Sequence, residues 1–274
     1  MLTEENLKKF KNLRLIDDIF FSVFFDNNPK DLEYVLRIIL DKSNLKVLEI
    51  QPQKTLENLF GRSVRFDVFA TDDEGKLYNI EVQRADAGAL PNRARYNSSM
   101  LDYHIARKSE KFTSLPETFV IFITEHDVLK GDEPIYHIER VIKETNKHFN
   151  DGTHIIYVNG SCKGSGSALL DLIHDFFCVN PADMRHKQLA ERAKFLKENE
   201  MGLENMGNYS DELINEGRIE GIKEGRIEGR IEGEKNKLLE NIRSLMETMK
   251  FTAKQAMDAL KVPADKQEEL RNLI

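Results

Sequence analysis

Arg65-Phe66-Asp67-Val68-Phe69-Ala70-Thr71 and Leu77-Tyr78-Asn79-Ile80-Glu81-Val82-Gln83 flank the polar turn Asp72-Asp73-Glu74-Gly75-Lys76. Both segments alternate with a period of two, which predicts a β-hairpin. Phe66, Val68, Ala70, Tyr78, Ile80 and Val82 then share an apolar face, and Asp67, Glu81 and Gln83 fall on the other. A turn centred on Glu74 sets Asp67 opposite Glu81. Like charges so placed destabilise a sheet unless something compensates them. A hard cation such as Mg²⁺ is one compensation, and plain solvation of a half-buried hairpin is the other.

The hairpin sits inside an alternation of helical and strand patterns. Phe10, Leu13, Ile16, Phe20 and Phe24 recur at helical spacing and predict one amphipathic helix over about 4–25. A second helix follows the Asn28-Pro29 break, from Asp31 to Leu40, and Lys46 to Ile50 reads as a short strand. After the hairpin, Pro91 opens a helix extending to about Lys111. Thr118-Phe119-Val120-Ile121-Phe122-Ile123 is apolar throughout, as in a strand covered on both faces. His154 to Val158 predicts another strand, and Leu169 to Phe177 and Met184 to Glu198 predict helices. Pro134 to His148 fits a helix, or a strand and a helix. The order predicts an α/β sheet with helices on its faces.

A chain of 274 residues, 40% hydrophobic and 32% charged, is long enough to bury a sizeable core. It has no apolar run of the ~18–20 residues that span a membrane and no visible secretory signal, so a soluble, cytoplasmic protein is expected. Cys162 and Cys178 show neither Cys-x-x-Cys nor His spacing, which argues against a zinc site. The net charge of -7 disfavours coating of nucleic acid by bulk electrostatics, while leaving local binding open. Gly160 to Gly166 is neither a P-loop nor a nucleophile elbow.

From Glu216 the chain repeats every four residues, with Gly217, Gly221, Gly225, Gly229 and Gly233 in one register and Glu, Arg and Ile in others. Interior glycines cost a helix about 1 kcal/mol each, yet a glycine column lets a second backbone approach closely. The repeat is therefore either a self-association helix or a solvated arm. Beyond it, Leu238, Ile242, Leu245 and Met249 form an apolar stripe, Thr252 is placed to cap a short helix, and Pro263 to start the last. The expected divisions are 1–200, 201–235 and 236–274.

The hairpin, together with Gly61-Arg62-Ser63-Val64 before it, Asp17-Asp18-Ile19-Phe20 and Arg93-Ala94-Arg95-Tyr96, resembles the Rpn-type recombination-promoting nucleases and transposases of the PD-(D/E)XK superfamily. That resemblance implies a restriction-endonuclease-like mixed central sheet flanked by helices, with a helical C-terminal tail. It also implies cleavage of DNA with Mg²⁺, for which Mn²⁺ can substitute. Asp67, Glu81 and the carbonyl of Val82 would hold the metal, and Gln83 stands where the wider superfamily has a lysine. A glutamine orients water through its amide but is no general base near neutral pH. Asp17 matches the acid of the superfamily's first helix, and helical spacing with Phe20 and Phe24 turns it inward. Arg62, Arg65, Arg93 and Tyr96 are candidate DNA contacts. The expected partners are DNA and further copies of the chain through the C-terminal helix, with no membrane. The other expectation is a catalytically weak or inactive relative that keeps the fold as a DNA-binding or scaffold module.

Overall fold

The computed structural model describes residues 4–58, 63–106, 111–271 and 273. The chain separates into two compact units, Met1–Ser210 and Asp211–Ile274. In the first, helices α1 (Glu4–Lys11), α2 (Asp18–Phe25) and α3 (Pro29–Leu40) precede strands β1 (Val47–Leu56), β2 (Val64–Asp72) and β3 (Leu77–Gln83). Helix α4 (Pro91–Ile105) leads to β4 (Thr118–Thr124), β5 (Ile135–Ile138), β6 (Val141–Ile142), β7 (Lys147–His148) and β8 (Thr153–Asn159). Helices α5 (Ala168–Phe176) and α6 (Lys187–Glu198) follow.

Six strands form one mixed sheet in the order β1-β2-β3-β4-β8-β5. β1, β2 and β3 pair antiparallel, β3, β4 and β8 parallel, and β5 returns antiparallel on β8. β4 lies in the middle, and all seven of its residues are buried, which explains its unbroken apolar sequence. Two apolar clusters cover the faces. One gathers Phe20, Phe21, Phe24 and Phe25 of α2 with Val68, Ala70, Tyr78, Ile80 and Val82. The other packs α4, through Ala94, Met100 and Leu101, on Phe66, Phe69, Val120, Phe122 and Tyr157.

The hairpin forms as its sequence predicts. Asp72 closes the turn, its Oδ1 accepting the amides of Glu74 (3.0 Å) and Lys76 (2.8 Å) and its Oδ2 the Tyr78 hydroxyl (2.7 Å). Gly75 takes a φ of +79°, which glycine adopts without penalty. Val68 pairs with Ile80 and Ala70 with Tyr78, the register centred on Glu74.

Several expectations are corrected. Phe66 does not share a face with Val68, but packs in the α4 cluster. The alternation breaks at Asp67, where the facing residue of β1, Gln53, has a φ of +51° and interrupts the pleat. β1 runs well past Ile50, because Pro52 is tolerated on a strand at the sheet's edge. The helix expected over 4–25 is two helices, parted at 12–17, and Asp17 is the N-cap residue of α2, not part of its body. The intervening loop is pinned by the buried Lys197, whose Nζ donates to the carbonyls of Leu13 and Val179 and lies 5.0 Å from the Phe20 ring centre. Burial pushes that ammonium down to about 8. Pro134 to His148 holds no helix: it forms β5 and the small β6-β7 hairpin.

In the second unit, the backbone of 211–249 belongs to α7 (Glu200–Met249), followed by α8 (Ala253–Ala259) and α9 (Ala264–Arg271). The four-residue repeat is thus helical. Among its glycines, Gly229 and Gly233 have nothing within 4 Å of where a Cβ would stand. Thr252 and Gln255 make the reciprocal hydrogen bonds of a capping box at the start of α8. Leu239, Ile242, Ala256, Met257, Val262 and Leu270 form this unit's core. No helix among the described residues is long and apolar enough to cross a membrane.

Candidate active site

β2 and β3 bring Asp67 and Glu81 together where the ladder stops. Beyond its last pair, Val68 with Ile80, the Oδ2 of Asp67 accepts the Val82 N–H at 2.9 Å. On the other side of the strand, Ser22 of α2 donates its hydroxyl to the Asp67 carbonyl (3.3 Å) and accepts the Gln53 amide (2.7 Å). Asp67 is therefore held by its carboxylate to β3 and by its carbonyl to α2.

Glu81 has no exposed surface. Its Oε2 lies 2.9 Å from Nη2 of Arg93, and its Oε1 accepts from Nδ2 of Asn97 at 3.4 Å. Arg93 and Asn97 stand one turn apart on α4, so one face of that helix meets the carboxylate. The other guanidinium nitrogen of Arg93 donates to the Gly88 carbonyl at 2.9 Å.

Both acids are raised above the ordinary carboxylate range. Burial first pushes Asp67 up to about 7, and the Asp18 charge adds to this, while the Val82 amide, Arg93 and Arg65 oppose it. Glu81 is raised well above the ordinary carboxylate range, by burial and then by the Asp67 charge, with Arg93 opposing. A buried carboxyl raised further by the charge of its neighbour is an unfinished charge arrangement that a divalent cation completes. An orphaned atom stands beside them: Oδ1 of the buried Asn97 has no hydrogen-bond partner. The carboxylate oxygens suit a hard cation.

Gln83 follows on β3, and its side chain lies against the 3₁₀ turn Asp86–Ala89. A Cβ on Gly88 would stand 1.9 Å from its Oε1. The close approach requires glycine there, which nothing in the sequence signals.

Asp17 is drawn into an ion-pair network. Its Oδ2 accepts the Arg14 amide at 2.7 Å, and its Oδ1 lies 3.2 Å from Nη1 of Arg84 and 3.5 Å from Nη2 of Arg14. Both arginines also reach Glu125. Its neighbour Asp18, exposed at the first position of α2, is the acid whose charge acts on Asp67. An unbroken helix would turn Asp17 inward; the break before α2 instead leaves Asp18 as the acid whose charge raises Asp67. Asn97 is a site residue whose signal in the sequence is its four-residue spacing from Arg93.

Of the candidate DNA contacts, Arg93 is engaged with Glu81 and Gly88, and the Tyr96 hydroxyl accepts from Asn58 Nδ2 at 3.3 Å. Arg65 lies within electrostatic reach of Asp67. Arg62 lies outside the described residues.

A family model described as PD-(D/E)XK nuclease family transposase matches residues 16–161. The chain belongs to this family. The matched stretch runs from the residue before Asp17 to just beyond β8 and includes Asp67, Glu81, Gln83, Arg93 and Asn97. No curated protein and no solved structure matches the chain. PD-(D/E)XK nucleases are in general divalent-metal dependent, in keeping with the oxygen donors gathered here.

Proposed function

We propose that the chain is a Mg²⁺-dependent DNA endonuclease whose metal is held by Asp67, Glu81 and the carbonyl of Val82. The observation that carries this reading is the meeting of Asp67 with the fully buried Glu81, whose carboxyl the Asp67 charge raises, beside an orphaned Asn97 oxygen. When bound there, Mg²⁺ would polarise a phosphodiester and lower the pKa of an attacking water. Asp67 is oriented for this by the Val82 amide, which leaves its other oxygen for the cation. Asn97 presents its amide oxygen to accept a hydrogen bond from a water, which would orient that water. Arg93 supplies the fixed positive charge that the superfamily lysine would bring, since Gln83 has none. Asp18, at the exposed mouth, fits the first-helix acid better than Asp17. Mn²⁺, another cation suited to oxygen donors, is the expected substitute.

The test is nicking of supercoiled plasmid. Cleavage should require Mg²⁺ or Mn²⁺ and vanish in Asp67→Ala and in Glu81→Ala. No cleavage, together with no Mg²⁺ or Mn²⁺ binding by calorimetry, rejects the enzyme reading.

A second reading is a non-catalytic relative that keeps the fold for DNA binding or as a scaffold. It is favoured by Arg93, which already neutralises Glu81 without a metal, and by Gln83, packed on Gly88. Metal-independent DNA binding without cleavage is its signature. Under either reading we propose that copies associate through α7, whose glycine column would allow close backbone approach.

A further inference from the structure

A second set of metal-ligating side chains lies at the end of α5, outside the stretch matched to the family. His174, Asp175 and Cys178 each offer a ligand atom, and these atoms lie within 4.8 Å of one another. The expectation that the cysteines lack a nearby histidine is corrected here: His174 and Cys178 are one helical turn apart, with Nδ1 and Sγ 3.5 Å from each other.

Asp175 is fully buried and accounts for nearly all its acceptor capacity. Oδ2 accepts both the His186 amide and His186 Nδ1, each at 2.8 Å. Oδ1 accepts the Arg185 amide at 2.7 Å, and its remaining lone pair faces His174 Nδ1 at 3.2 Å. Three donors from 185–186 thus fix the carboxylate, the outer support that ligating carboxylates characteristically have. Zinc bonds of ~2.0–2.1 Å to nitrogen and oxygen and ~2.3 Å to sulfur give a tetrahedron with N···S edges of about 3.5 Å and N···O edges of about 3.3 Å. The observed 3.5 Å and 3.2 Å match both edges.

From this geometry we infer that His174 Nδ1, Asp175 Oδ1 and Cys178 Sγ form a binding site for a zinc-class divalent cation, with a fourth position left to water. Mixed nitrogen, sulfur and oxygen donors favour such a cation over Mg²⁺. Binding releases the Cys178 thiol proton to solvent and leaves the His174 proton on Nε2. The same turn receives the Ile16 amide on the Phe176 carbonyl at 3.1 Å, so occupancy would stiffen the segment entering Asp17 and Asp18.

Metal-free full-length protein, held in excess Mg²⁺, is titrated with Co²⁺ and followed in the near ultraviolet for thiolate-to-cobalt charge transfer. One equivalent should give the band, and Zn²⁺ should erase it. The band should be absent in Cys178→Ser, unchanged in Cys162→Ser and in Glu81→Gln, and weakened at least tenfold in apparent affinity in His174→Ala. His174 is partly exposed, so that variant remains informative if Cys178→Ser fails to fold. No band in the native chain, a band that survives Cys178→Ser, or an unaltered affinity in His174→Ala overturns the site. None of these outcomes depends on nuclease activity.

Discussion

Nη2 of Arg93 lies 2.9 Å from Oε2 of Glu81, and of the two side chains only the arginine reaches solvent. Removing one partner of a buried pair leaves the other charge uncompensated, at a cost of about 3–5 kcal/mol when both are buried. Because Arg93 is partly exposed, Arg93→Ala should lose roughly 2–3 kcal/mol at pH 8. The loss should shrink as pH falls, because protonation of the raised Glu81 carboxyl removes the charge that Arg93 offsets. Glu81→Gln in the same chain should recover most of it in urea unfolding; no recovery would mean that Arg93 acts through another contact.

The raised Asp67 carboxyl sets a pH dependence of definite sign. Its folded value of about 7 exceeds the unfolded one near 4, so the native state binds the proton more tightly. That contribution to stability is complete below the unfolded value and lost as pH rises to about 7. Metal-free protein should lose about 3 kcal/mol between pH 5 and 8. Asp175 works the other way: hydrogen bonds from His186 and the Arg185 amide outweigh burial and hold it low, so its contribution disappears only in stronger acid. Mg²⁺ should raise the melting temperature at pH 8 and have little effect at pH 5. Asp67→Asn should flatten both dependences, and equal Mg²⁺ shifts at the two pH values would count against the site.

Asp17 and Asp18 separate by experiment. Asp18→Asn removes a charge that raises Asp67, so the lower limb of the pH profile for cleavage should move to lower pH. Asp17→Asn should leave that limb in place and cost at most about 1 kcal/mol, the usual range for a partly exposed ion pair. The reverse pattern would return the first-helix role to Asp17.

Gly88→Ala should force Gln83 from its place, since the added methyl meets Oε1 at 1.9 Å. Overpacking of this kind costs typically ~1–3 kcal/mol. Gln83→Ala should be mild alone and should cancel most of the Gly88→Ala penalty. Additive losses in the double mutant would show that the two residues do not meet.

Truncation after residue 210 should lower the oligomeric state seen by sedimentation, beyond the mass of the deleted residues. An unchanged state removes α7 as the assembly element.

Much of the architecture was legible because two strong periodicities coincided with real burial. β4 is apolar throughout since it is covered on both faces, and the β2-β3 register followed from where its turn residues lie. What failed depended on contacts distant in sequence. The break before α2 is held by Lys197 reaching back to Leu13, and no local pattern records that partnership. The turn of the strand at Asp67 answers to the backbone of Gln53 in another strand. The turn centred on Glu74 made Asp67 and Glu81 neighbours in the sequence, and the resemblance singled them out as a site, whereas Gly88 became visible only when Gln83 was seen lying against it.

The bond from the Val82 amide to Asp67 has one further consequence. A side chain fastens two strands beyond the end of their backbone pairing, so whatever tugs on that carboxylate also tugs on the fastening. The Val82 amide is thereby a built-in gauge: its exchange with solvent deuterium should slow when a cation anchors Asp67 and quicken when Asp67 is protonated, giving a readout of occupancy at a single peptide group without any substrate.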